Sequence, residues 1–280
     1  MSQAGLYVVA TPIGNLEDMS YRAVRVLSEA DLIAAEDTRH SLPLLSHYGI
    51  ANTLQALHEH NEEQVAGKIL ERIANGGSVA LISDAGTPLI SDPGYRLVSA
   101  AREAGLPVYA IPGPSAVTAA LSVAGLPSDR FAFEGFLSAK ASARKKTLQA
   151  LSRESRTLVF FESSHRIVAT INDMSVIFGR HRLAAVCREL TKKFETVLRA
   201  SLADLAKTLA DDKNQSRGEF VIIVAGHSVD ENENLEKAHD MFKALLEYLP
   251  ASQAARVAAR LNDVPRREVY KMLDSDRTFE

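Results

Sequence analysis

The chain has 280 residues, of which 46% are hydrophobic and 24% charged, with a formal net charge of −3 at pH 7. This length and hydrophobic fraction suffice for about two domains with buried cores. The near-neutral charge excludes nucleic-acid binding through overall charge, so an RNA or DNA partner would need a local basic face.

The cysteine content and the N-terminal residues give information on the cellular compartment of the protein. The single cysteine, Cys187, ends the apolar run Leu183–Cys187 and is predicted to be buried, which excludes a disulfide framework and a thiolate metal cluster. The first residues lack the basic start and long apolar core of a signal peptide. No stretch is long enough to span a bilayer. We therefore expect a cytosolic protein with no membrane partner.

In the first part of the chain, short apolar runs alternate with amphipathic stretches. Strands are predicted at Leu6–Thr11, Asp31–Glu36, Ser78–Ile82 and Pro107–Ile111. Helices are predicted at Tyr21–Ser28, Glu62–Ala74 and Gly94–Glu103. Apolar strands alternating with helices favour a largely parallel sheet covered on both faces. The prolines of Pro112–Pro114 end this unit.

A second α/β unit and a helical tail follow. Its predicted strands are Phe131–Gly135, Thr157–Phe161, Leu183–Arg188, Thr196–Ala200 and Glu219–Ala225, with helices at Ala141–Arg153 and Ser164–Ile177. The polar segment His227–Asn234 is predicted to be a linker. Helices at Leu235–Tyr248, Ser252–Leu261 and Arg266–Leu273 have a helix-turn-helix-like spacing. The predicted domains are thus two α/β domains at 1–115 and 116–228 and an all-α domain at 235–280.

Four predicted strand ends of the first unit are followed by loops rich in glycine, proline and charge. They are Thr11–Asn15, Glu36–His40, Ser83–Pro88 with Ile90–Gly94, and Pro112–Ala116. Glycine allows a ligand to approach the backbone, proline stiffens a loop, and Ser115 is placed to cap the next helix. Each loop alone could be only a turn. Because ligands bind at the carboxyl ends of strands in open α/β sheets, the four together predict a ligand site.

Several common motifs are absent from the sequence. There is no G-x-G-x-x-G after the first strand, no G-x-x-x-x-G-K-[ST] and no G-x-S-x-G, which argues against a Rossmann-type cofactor, a Walker-type loop and a hydrolase elbow. The run His58–His60 places two histidines on one face of a strand, but no further ligands are apparent. We predict no metal site.

Eight motifs, in order, resemble those of one known family. They are TPIGNLEDMSYRAV, AEDTRH, SDAGTPLISDPG, IPGPSA, FEGFL, FFESSHR, RELTKKFE and GEFVIIVAG. Together with the helical tail, they resemble the ribosomal RNA small subunit methyltransferase I family, which belongs to the tetrapyrrole methylase superfamily of class III methyltransferases. The resemblance implies two α/β domains of the tetrapyrrole methylase type with a cofactor cleft between them, S-adenosylmethionine as cofactor, and a homodimer. It also implies methylation of the 2′-oxygen of a cytidine in the decoding region of 16S ribosomal RNA, so that the partner is this RNA or the 30S subunit.

The resemblance further implies a set of cofactor-binding residues. Pro12 and Gly14 match a wall near the reacting centre. The methionine part of the cofactor is assigned to Asp84, Ala85 and Gly86, a further contact to Ser115 and Ala116, and the adenosine pocket to Phe161, Leu190, Gly218 and Glu219. Each of these residues also has a purely structural interpretation. Pro12 could only end a strand, Phe161 could belong to the hydrophobic core, and Asp84 could cap a turn.

Catalysis needs a group beside the ribose hydroxyl, which is a poor nucleophile at neutral pH. The candidates for a base or polarising group are Glu36, Asp37 and His58. Arg39 is a candidate for positioning a phosphate, because its planar fork can bind phosphate oxygens bidentately. The alternative is that Asp37 and Arg39 only pair with each other.

Two segments carry local positive charge. Residues 139–156 contain six basic residues and one acid, and 252–273 contain five basic residues and two acids. The RNA-binding candidates are Lys140, Arg144, Lys145 and Lys146 in the first and Arg266 and Arg267 in the second. Either segment could instead be a solvated helix face, and the tail could pack on a partner subunit.

Two other functions compete with ribosomal RNA methylation. In a small-molecule tetrapyrrole methyltransferase the same fold would hold a corrin ring, although such an enzyme has little need for a basic helix and a tail. In a non-catalytic RNA-binding or assembly protein the glycine loops would be only turns. Cofactor binding, and activity on RNA against activity on a precorrin, distinguish the three.

Overall fold

Two five-stranded sheets organise most of the chain. The computed structural model describes residues 3–58, 61–212, 214–227, 231–262 and 264–269. Contacts divide the chain into two compact units, Met1–Gly226, which holds both sheets, and His227–Glu280. The division of the first unit into domains at 1–115 and 116–228 stays a prediction. No helix in the described ranges is both long and apolar enough to cross a membrane.

The first sheet is entirely parallel, as its apolar strands predict. Its strands are β1 Gly5–Val9, β2 Leu32–Ala35, β3 Leu54–Ala56, β4 Ser78–Ile82 and β5 Val108–Ile111, in the order β3-β2-β4-β1-β5. The helices between them are α1 Tyr21–Glu29, α2 Thr38–His47, α3 Glu62–Ala74 and α4 Tyr95–Glu103, with a short 3₁₀ helix at Leu16–Asp18. Apolar clusters cover both faces of the sheet. Because the strands are parallel, their carboxyl ends and the loops that follow lie at one edge.

Helix α2 corrects the prediction that Glu36–His40 is a loop. The helix begins at Thr38, and Asp37 is its N-cap residue, whose carboxylate accepts the backbone N–H of Arg39. Aspartate is a favoured N-cap because its side chain satisfies a free amide of the first turn. The charged run therefore starts a helix directly after β2.

The second sheet is mixed, unlike the parallel first sheet. Its strands are β6 Phe131–Phe136, β7 Thr157–Ser163, β8 Leu183–Arg188, β9 Thr196–Ser201 and β10 Glu219–Val224, in the order β6-β7-β10-β8-β9. Only β6 and β7 pair in parallel, and the other three pairings are antiparallel. The loop between β8 and β9 explains part of this, because Glu189–Glu195 is too short for a crossover.

Helices cover both faces of the second sheet. They are α5 Ala116–Val123, α6 Ala141–Leu151, α7 Ile167–Phe178 and α8 Leu202–Asp211. Val117 and Ala120 of α5 pack against Val159 and Val221, and the first-sheet loop residue Ile13 packs against the same cluster. The loop after β1 is thereby packed against one face of the second sheet.

The C-terminal unit is helical in its described residues. Its helices are α9 Glu231–Leu245 and α10 Ala251–Leu261, and residues 266–269 are also helical. A small core joins them, built mostly from alanines around Phe242. The predicted linker is too long, because α9 begins at Glu231, where acidic residues favour a helix N-terminus. Of the predicted helix Arg266–Leu273, the part beyond residue 269 lies outside the described residues.

Candidate active site

The four loops at the edge of the first sheet hydrogen-bond to one another. Thr11 and Gly86 exchange two backbone hydrogen bonds, of 2.8 and 3.0 Å, which join the loops after β1 and β4. Thr87 Oγ1 donates to the carbonyl oxygen of Pro114 at 3.0 Å and joins the loops after β4 and β5. The predicted gathering of these loops at one edge is therefore confirmed.

Asp84 joins the remaining loop to this group. Its carboxylate accepts the backbone N–H of Asp37 at 3.1 Å and lies 2.9 Å from His40 Nδ1. The hydrogen bond and the charge of Asp84 raise the pKa of His40. In return, Glu36 Oε2 accepts the backbone N–H of Asp84 at 3.4 Å. Asp84 and Glu36 thus connect the ends of β2 and β4.

A cavity of about 490 Å³ lies between these loops and the second sheet. This volume is within the usual range for sites that hold a small molecule or cofactor, about 300–1,000 Å³. The first-sheet loops contribute Ile13, Glu36, Asp84, Ala85, Gly86, Thr87, Ile90, Ser91, Asp92, Ser115 and Ala116. The second sheet and its loops contribute Phe136, Phe161, Glu162, Ser163, Ser164, Cys187, Leu190, Gly218, Glu219, Phe220 and Val221.

The two sides of the cavity differ in chemistry. The first-sheet loops bring three carboxyl groups, those of Glu36, Asp84 and Asp92, whereas the second-sheet side has five aromatic or aliphatic side chains and two carboxyl groups that are ion-paired. There, the rings of Phe136 and Phe161 meet edge to face, with centroids 5.5 Å apart. Such a cavity suits a ligand with one cationic part and one flat apolar part.

The backbone around the cavity is strained. Among the described residues, the non-glycine residues with a left-handed backbone are Leu89, Ser91, Glu189 and Thr191, with φ between 50° and 74°. Ser91 lines the cavity, and Glu189 and Thr191 flank Leu190, which also lines it. Such conformations cost about 1–3 kcal/mol each and often mark functional sites.

A second polar group lies beside Gly218 and Glu219. Lys192 Nζ is 3.0 Å from Glu189 Oε1 and 2.8 Å from Glu219 Oε2. Gly218 has φ of 101°, and a Cβ there would lie 2.6 Å from Cγ of Glu189. A Cβ on Gly14 would lie 2.5 Å from Cγ of Lys192. Glycine is therefore required at both positions for this close packing.

Ten of the predicted cofactor-binding and catalytic residues line the cavity. They are Glu36, Asp84, Ala85, Gly86, Ser115, Ala116, Phe161, Leu190, Gly218 and Glu219. Pro12 and Gly14 do not line it, but they flank Ile13, which does. Ser115 is the N-cap residue of α5, but its side chain makes no capping hydrogen bond.

The other three catalytic candidates lie elsewhere. Asp37 and Arg39 form a bidentate pair, with distances of 3.0 and 2.6 Å, which is the alternative that the sequence left open. The hydrogen bonds from Arg39 hold the pKa of Asp37 far below its usual value, so Asp37 is a weak base. His58 follows β3 and is not among the residues that line the cavity.

The basic run at α6 is only partly exposed. Arg144 is buried and forms an ion pair of 2.7 Å with Asp173 of α7. A buried guanidinium that is already paired is not available to phosphate, so the structure places Arg144 in the fold instead of on a surface. Lys140, Lys145 and Lys146 are exposed, although Lys145 lies 3.4 Å from Asp173.

The tail candidates are exposed and make local contacts. Arg266 donates to the carbonyl oxygen of Ser252 at 3.2 Å, and Arg267 pairs with Glu268 at 3.0 Å. Both side chains remain on the surface of the helical unit.

Several cavity residues had no role assigned from the sequence. Asp92 belongs to the run Ile90–Gly94, which stood out as a loop, and Phe136 and Glu162 belong to the motifs FEGFL and FFESSHR. Membership in these sequence segments was the one indication, before the structure, that the three residues belong to the site. Only the fold brings their side chains to the cavity.

Thiol and metal chemistry find little support in the described residues. Cys187 is a free and buried cysteine, as predicted, and burial raises its pKa to about 12, so the thiol stays protonated at neutral pH. No group of three or more potential metal ligands occurs among the residues that the structure describes. Glu59 and His60 lie outside them.

Sequence comparisons match both units of the chain. Residues 5–206 match the family model of tetrapyrrole (corrin/porphyrin) methylases, and residues 232–273 match the RsmI C-terminal HTH domain. Relatives named ribosomal RNA small subunit methyltransferase I include those of Xylella fastidiosa (strain Temecula1), 53% identical over 96% of this chain and 99% of the relative, and of Escherichia coli O157:H7, 48% identical over 96% and 94%.

Solved structures show the same fold in more distant proteins. Uroporphyrin-III-C-methyltransferase from Thermus thermophilus has a TM-score of 0.57 at 20% identity, covering 79% of this chain and 94% of its own. A structure of the Thermus enzyme complexed with S-adenyl homocysteine has a TM-score of 0.54 at 19% identity, covering 79% and 97%. At these identities the likeness concerns the fold alone.

Proposed function

The chain belongs to the ribosomal RNA small subunit methyltransferase I family, and on this basis we propose that it methylates the 2′-oxygen of a cytidine ribose in the decoding region of 16S ribosomal RNA. The chain is a methyltransferase with the tetrapyrrole methylase fold and an appended helical unit. The assignment of the methylated atom and of the nucleotide rests on the motifs that resemble those of the family. The observation that carries the proposal is the match along nearly the whole chain, tail included.

The methyl donor is S-adenosylmethionine, as in methyltransferases of this kind. The cavity fits such a donor, because carboxylates on one side can balance a sulfonium charge and aromatic rings on the other can cover a purine.

We assign the parts of the cofactor by the walls of the cavity. The Asp84–Gly86 loop and the start of α5 would hold the methionine part, and Phe161, Leu190 and Gly218 would hold the adenosine part. When bound, the cofactor supplies a methyl group on a positively charged sulfur. The residues of the chain have to align the hydroxyl and exclude water, and orientation of this kind is worth about 7–11 kcal/mol in favourable cases.

A small-molecule tetrapyrrole substrate is the weaker alternative. The tetrapyrrole enzymes share the fold at 17–20% identity, whereas the ribosomal RNA methyltransferases match at 45–53% along nearly the whole length. A corrin-binding enzyme also has no evident use for the helical unit at 232–273.

The direct test of this function is methyl transfer to RNA. We expect labelled methyl groups to pass from S-adenosylmethionine to 30S subunits or 16S RNA, and mass spectrometry to place the label on one cytidine ribose. Fragments of 16S RNA from cells that lack the gene should lose the same methyl group. Transfer to a precorrin with none to RNA would refute the proposal, as would cofactor binding without any transfer.

The substrate form, the assembly and the location are part of the same proposal. We propose that the partner is 16S RNA or the 30S subunit, that the protein acts as a homodimer, and that it works in the cytoplasm, where this RNA is found. Comparing methyl transfer to naked 16S RNA with methyl transfer to assembled 30S subunits shows which of the two is the substrate. Sedimentation of the purified protein tests the dimer.

We further propose that the exposed lysines at α6 contact RNA phosphates. Lys140 and Lys146 have no ion pair within the described part of the chain. Replacing both with alanine is expected to weaken RNA binding and to reduce the slope of log affinity against log salt by about 0.7–0.9 per lysine. Filter binding at several salt concentrations measures the slope. Lys68→Ala, an exposed lysine of α3, is the matched control and should leave the slope unchanged.

Arg144 provides a contrast within the same helix. Because it is buried against Asp173, Arg144→Met should lower the midpoint of urea denaturation. In protein that remains folded, it should leave the salt slope unchanged. A reduced slope for Arg144→Met, or an unchanged slope for the double lysine variant, would contradict this assignment of the RNA surface.

A further inference from the structure

The loop between β8 and β9, Glu189–Glu195, presents an aromatic ring to solvent. Phe194 lies in this loop with 63% of its surface exposed, and Nζ of Lys193 lies 5.7 Å from the centre of its ring. Single apolar side chains on a protein surface are common. The stiffness of the loop, the position of the ring and the charges around it therefore decide whether Phe194 has a role.

The loop is held in one conformation. Glu189 and Thr191 have left-handed backbones, with φ of 50° and 65°. Arg188 Nη1 donates to the carbonyl oxygen of Phe194 at 3.0 Å, and its Nε donates to the carbonyl oxygen of Arg217 at 2.6 Å. The backbone that carries the ring is thus fixed to the end of β8 and to the segment before β10. A ring on a preorganised backbone costs less conformational entropy to immobilise when a ligand binds.

Phe194 lies beside the cofactor cavity but does not line it. Leu190 of the same loop and Gly218 both line the cavity. Gly218 follows Arg217 directly, and Arg188 joins Arg217 to Phe194. The ring is therefore outside the space that we assign to S-adenosylmethionine. A substrate too large to enter the cavity has to lie against such a neighbouring surface while its reacting group points inside.

The charges around the ring are not fully balanced within the chain. Lys193 and Arg217 are exposed, and within the described residues neither is in an ion pair. The nearby carboxylates, in contrast, have partners in the chain; they are those of Glu189 and Glu219, which bind Lys192, and of Glu195, which accepts the backbone N–H of Thr191. The surface beside Phe194 thus carries positive charge that is available to an anionic partner.

We propose that Phe194 stacks on an unpaired base of the RNA substrate, with Lys193 and Arg217 on neighbouring phosphates. The inference rests on the proposed function of the adjoining cavity. RNA-binding proteins stack the bases of loops and bulges on aromatic side chains, and cations beside the ring bind the backbone. One ring among cations fits a nucleotide better than a protein partner, because protein interfaces bury a larger area with an apolar centre.

Stacking at this position serves the reaction through orientation. A base held outside the cavity fixes the RNA strand, so that the ribose hydroxyl of the target nucleotide can meet the methyl group in line. Phe194 is therefore a positioning residue that acts on RNA binding. Its loss should change the KM for RNA and leave the cofactor Kd as it is.

The first test is Phe194→Ala, with Phe194→Tyr as the variant that keeps a ring. Steady-state methyl transfer is measured on whichever of 30S subunits and naked 16S RNA accepts methyl groups from the wild type. We expect Phe194→Ala to raise the KM at least about fivefold, as the loss of one stacked base does, and Phe194→Tyr to stay within about twofold of the wild type. The Kd of S-adenosylmethionine, measured by calorimetry, should be unchanged in both. The control is Phe131→Ala, which removes an exposed ring at the opposite edge of the second sheet and should leave the KM unchanged.

The second test uses the absence of tryptophan from the sequence. Phe194→Trp supplies one fluorescent indole that can itself stack on a base. Its emission is recorded with single-stranded oligocytidine of about ten nucleotides, a length typical of single-strand sites, at a concentration that saturates filter binding. We expect this oligomer to quench the emission, whereas an oligomer of the same length without bases should not. Phe131→Trp, with the same reporter at the other edge of the sheet, should respond to neither.

The third test concerns the phosphate contacts. Lys193→Ala combined with Arg217→Ala should reduce the slope of log affinity for the oligomer against log salt by about 0.7 per cation. Phe194→Ala, which removes no charge, should lower the affinity and leave the slope unchanged. Lys68→Ala is again the control for an exposed lysine elsewhere.

A KM for Phe194→Ala within about twofold of the wild type would overturn the inference, as would unquenched emission from Phe194→Trp or an unchanged salt slope in the double variant. A weakened cofactor Kd in Phe194→Ala would make the ring a support of the cavity, and altered sedimentation would make it a contact between subunits; either result also overturns the inference. Failure of the proposed function looks different, because the wild type then transfers no methyl group to RNA, whereas quenching is measured without any transfer.

Discussion

Replacing Ala116 with leucine is expected to remove S-adenosylmethionine binding from a protein that still folds. Ala116 is the first residue of α5 and lines the cavity, so a larger side chain there takes up space that we assign to the cofactor. Leucine is a strong helix former and does not disfavour the start of α5. We expect the cofactor Kd, measured by titration calorimetry, to rise at least about 100-fold, which corresponds to about 2.8 kcal/mol.

The matched control is Ser122→Leu, which places the same side chain at an exposed position of the same helix. It should bind the cofactor like the wild type, and both variants should unfold at similar urea concentrations. Wild-type affinity in Ala116→Leu would mean that the cofactor does not use this part of the cavity.

Replacing Arg166 with methionine is expected to cause the largest loss of stability. Its guanidinium lies 2.7 Å from Oε1 of Glu162, whose side chain is 1% exposed, and it also donates to the carbonyl oxygen of Leu137 at 3.0 Å. Without arginine, the charge of Glu162 stays buried with hydrogen bonds only from the hydroxyl of Thr170 and the backbone N–H of Ser163. Loss of one partner of a buried pair costs about 3–5 kcal/mol, which urea denaturation at neutral pH measures.

A second change separates the charge from the packing. Adding Glu162→Gln to Arg166→Met removes the unpaired charge, so most of the lost free energy of unfolding should return. The control is Arg156→Met, because its pair with Glu154 is more exposed, with side-chain exposures of 42% and 21%. There we expect a loss below about 1 kcal/mol, and a loss that small for Arg166→Met would contradict the buried-pair argument.

Local patterns predicted most of the fold. Strands β4 and β8 and helix α3 begin and end where the sequence predicts, because each is a periodic or apolar run with clear boundaries. Strand β3 was not predicted, since it has three residues, none of them fully buried. Helix α2 was hidden by charges at its start and by Pro43 within it. Strand direction in the second sheet depends on pairing between distant segments, which periodicity does not report.

The candidate site was predicted where it depends on strand ends. Parallel strands place their carboxyl ends together, so Asp84 and Ser115 could be assigned to one edge before the fold was known. Side-chain pairing was harder, because Arg144 belongs to a basic run in the sequence and yet points to Asp173 in the fold. Phe136 of β6 reaches the cavity only through the packing of the two sheets, which no local pattern encodes.

The left-handed residues at Ser91 and Thr191 have a consequence for the energetics of turnover. Such conformations persist only where the surrounding structure enforces them, so the edge of the cavity takes its final shape during folding and not on arrival of a ligand. A preorganised receptor loses little further conformational entropy on binding. The conformational entropy of ordering the cavity edge is therefore lost once, when the protein folds. Each catalytic cycle then begins with this edge already in its binding conformation.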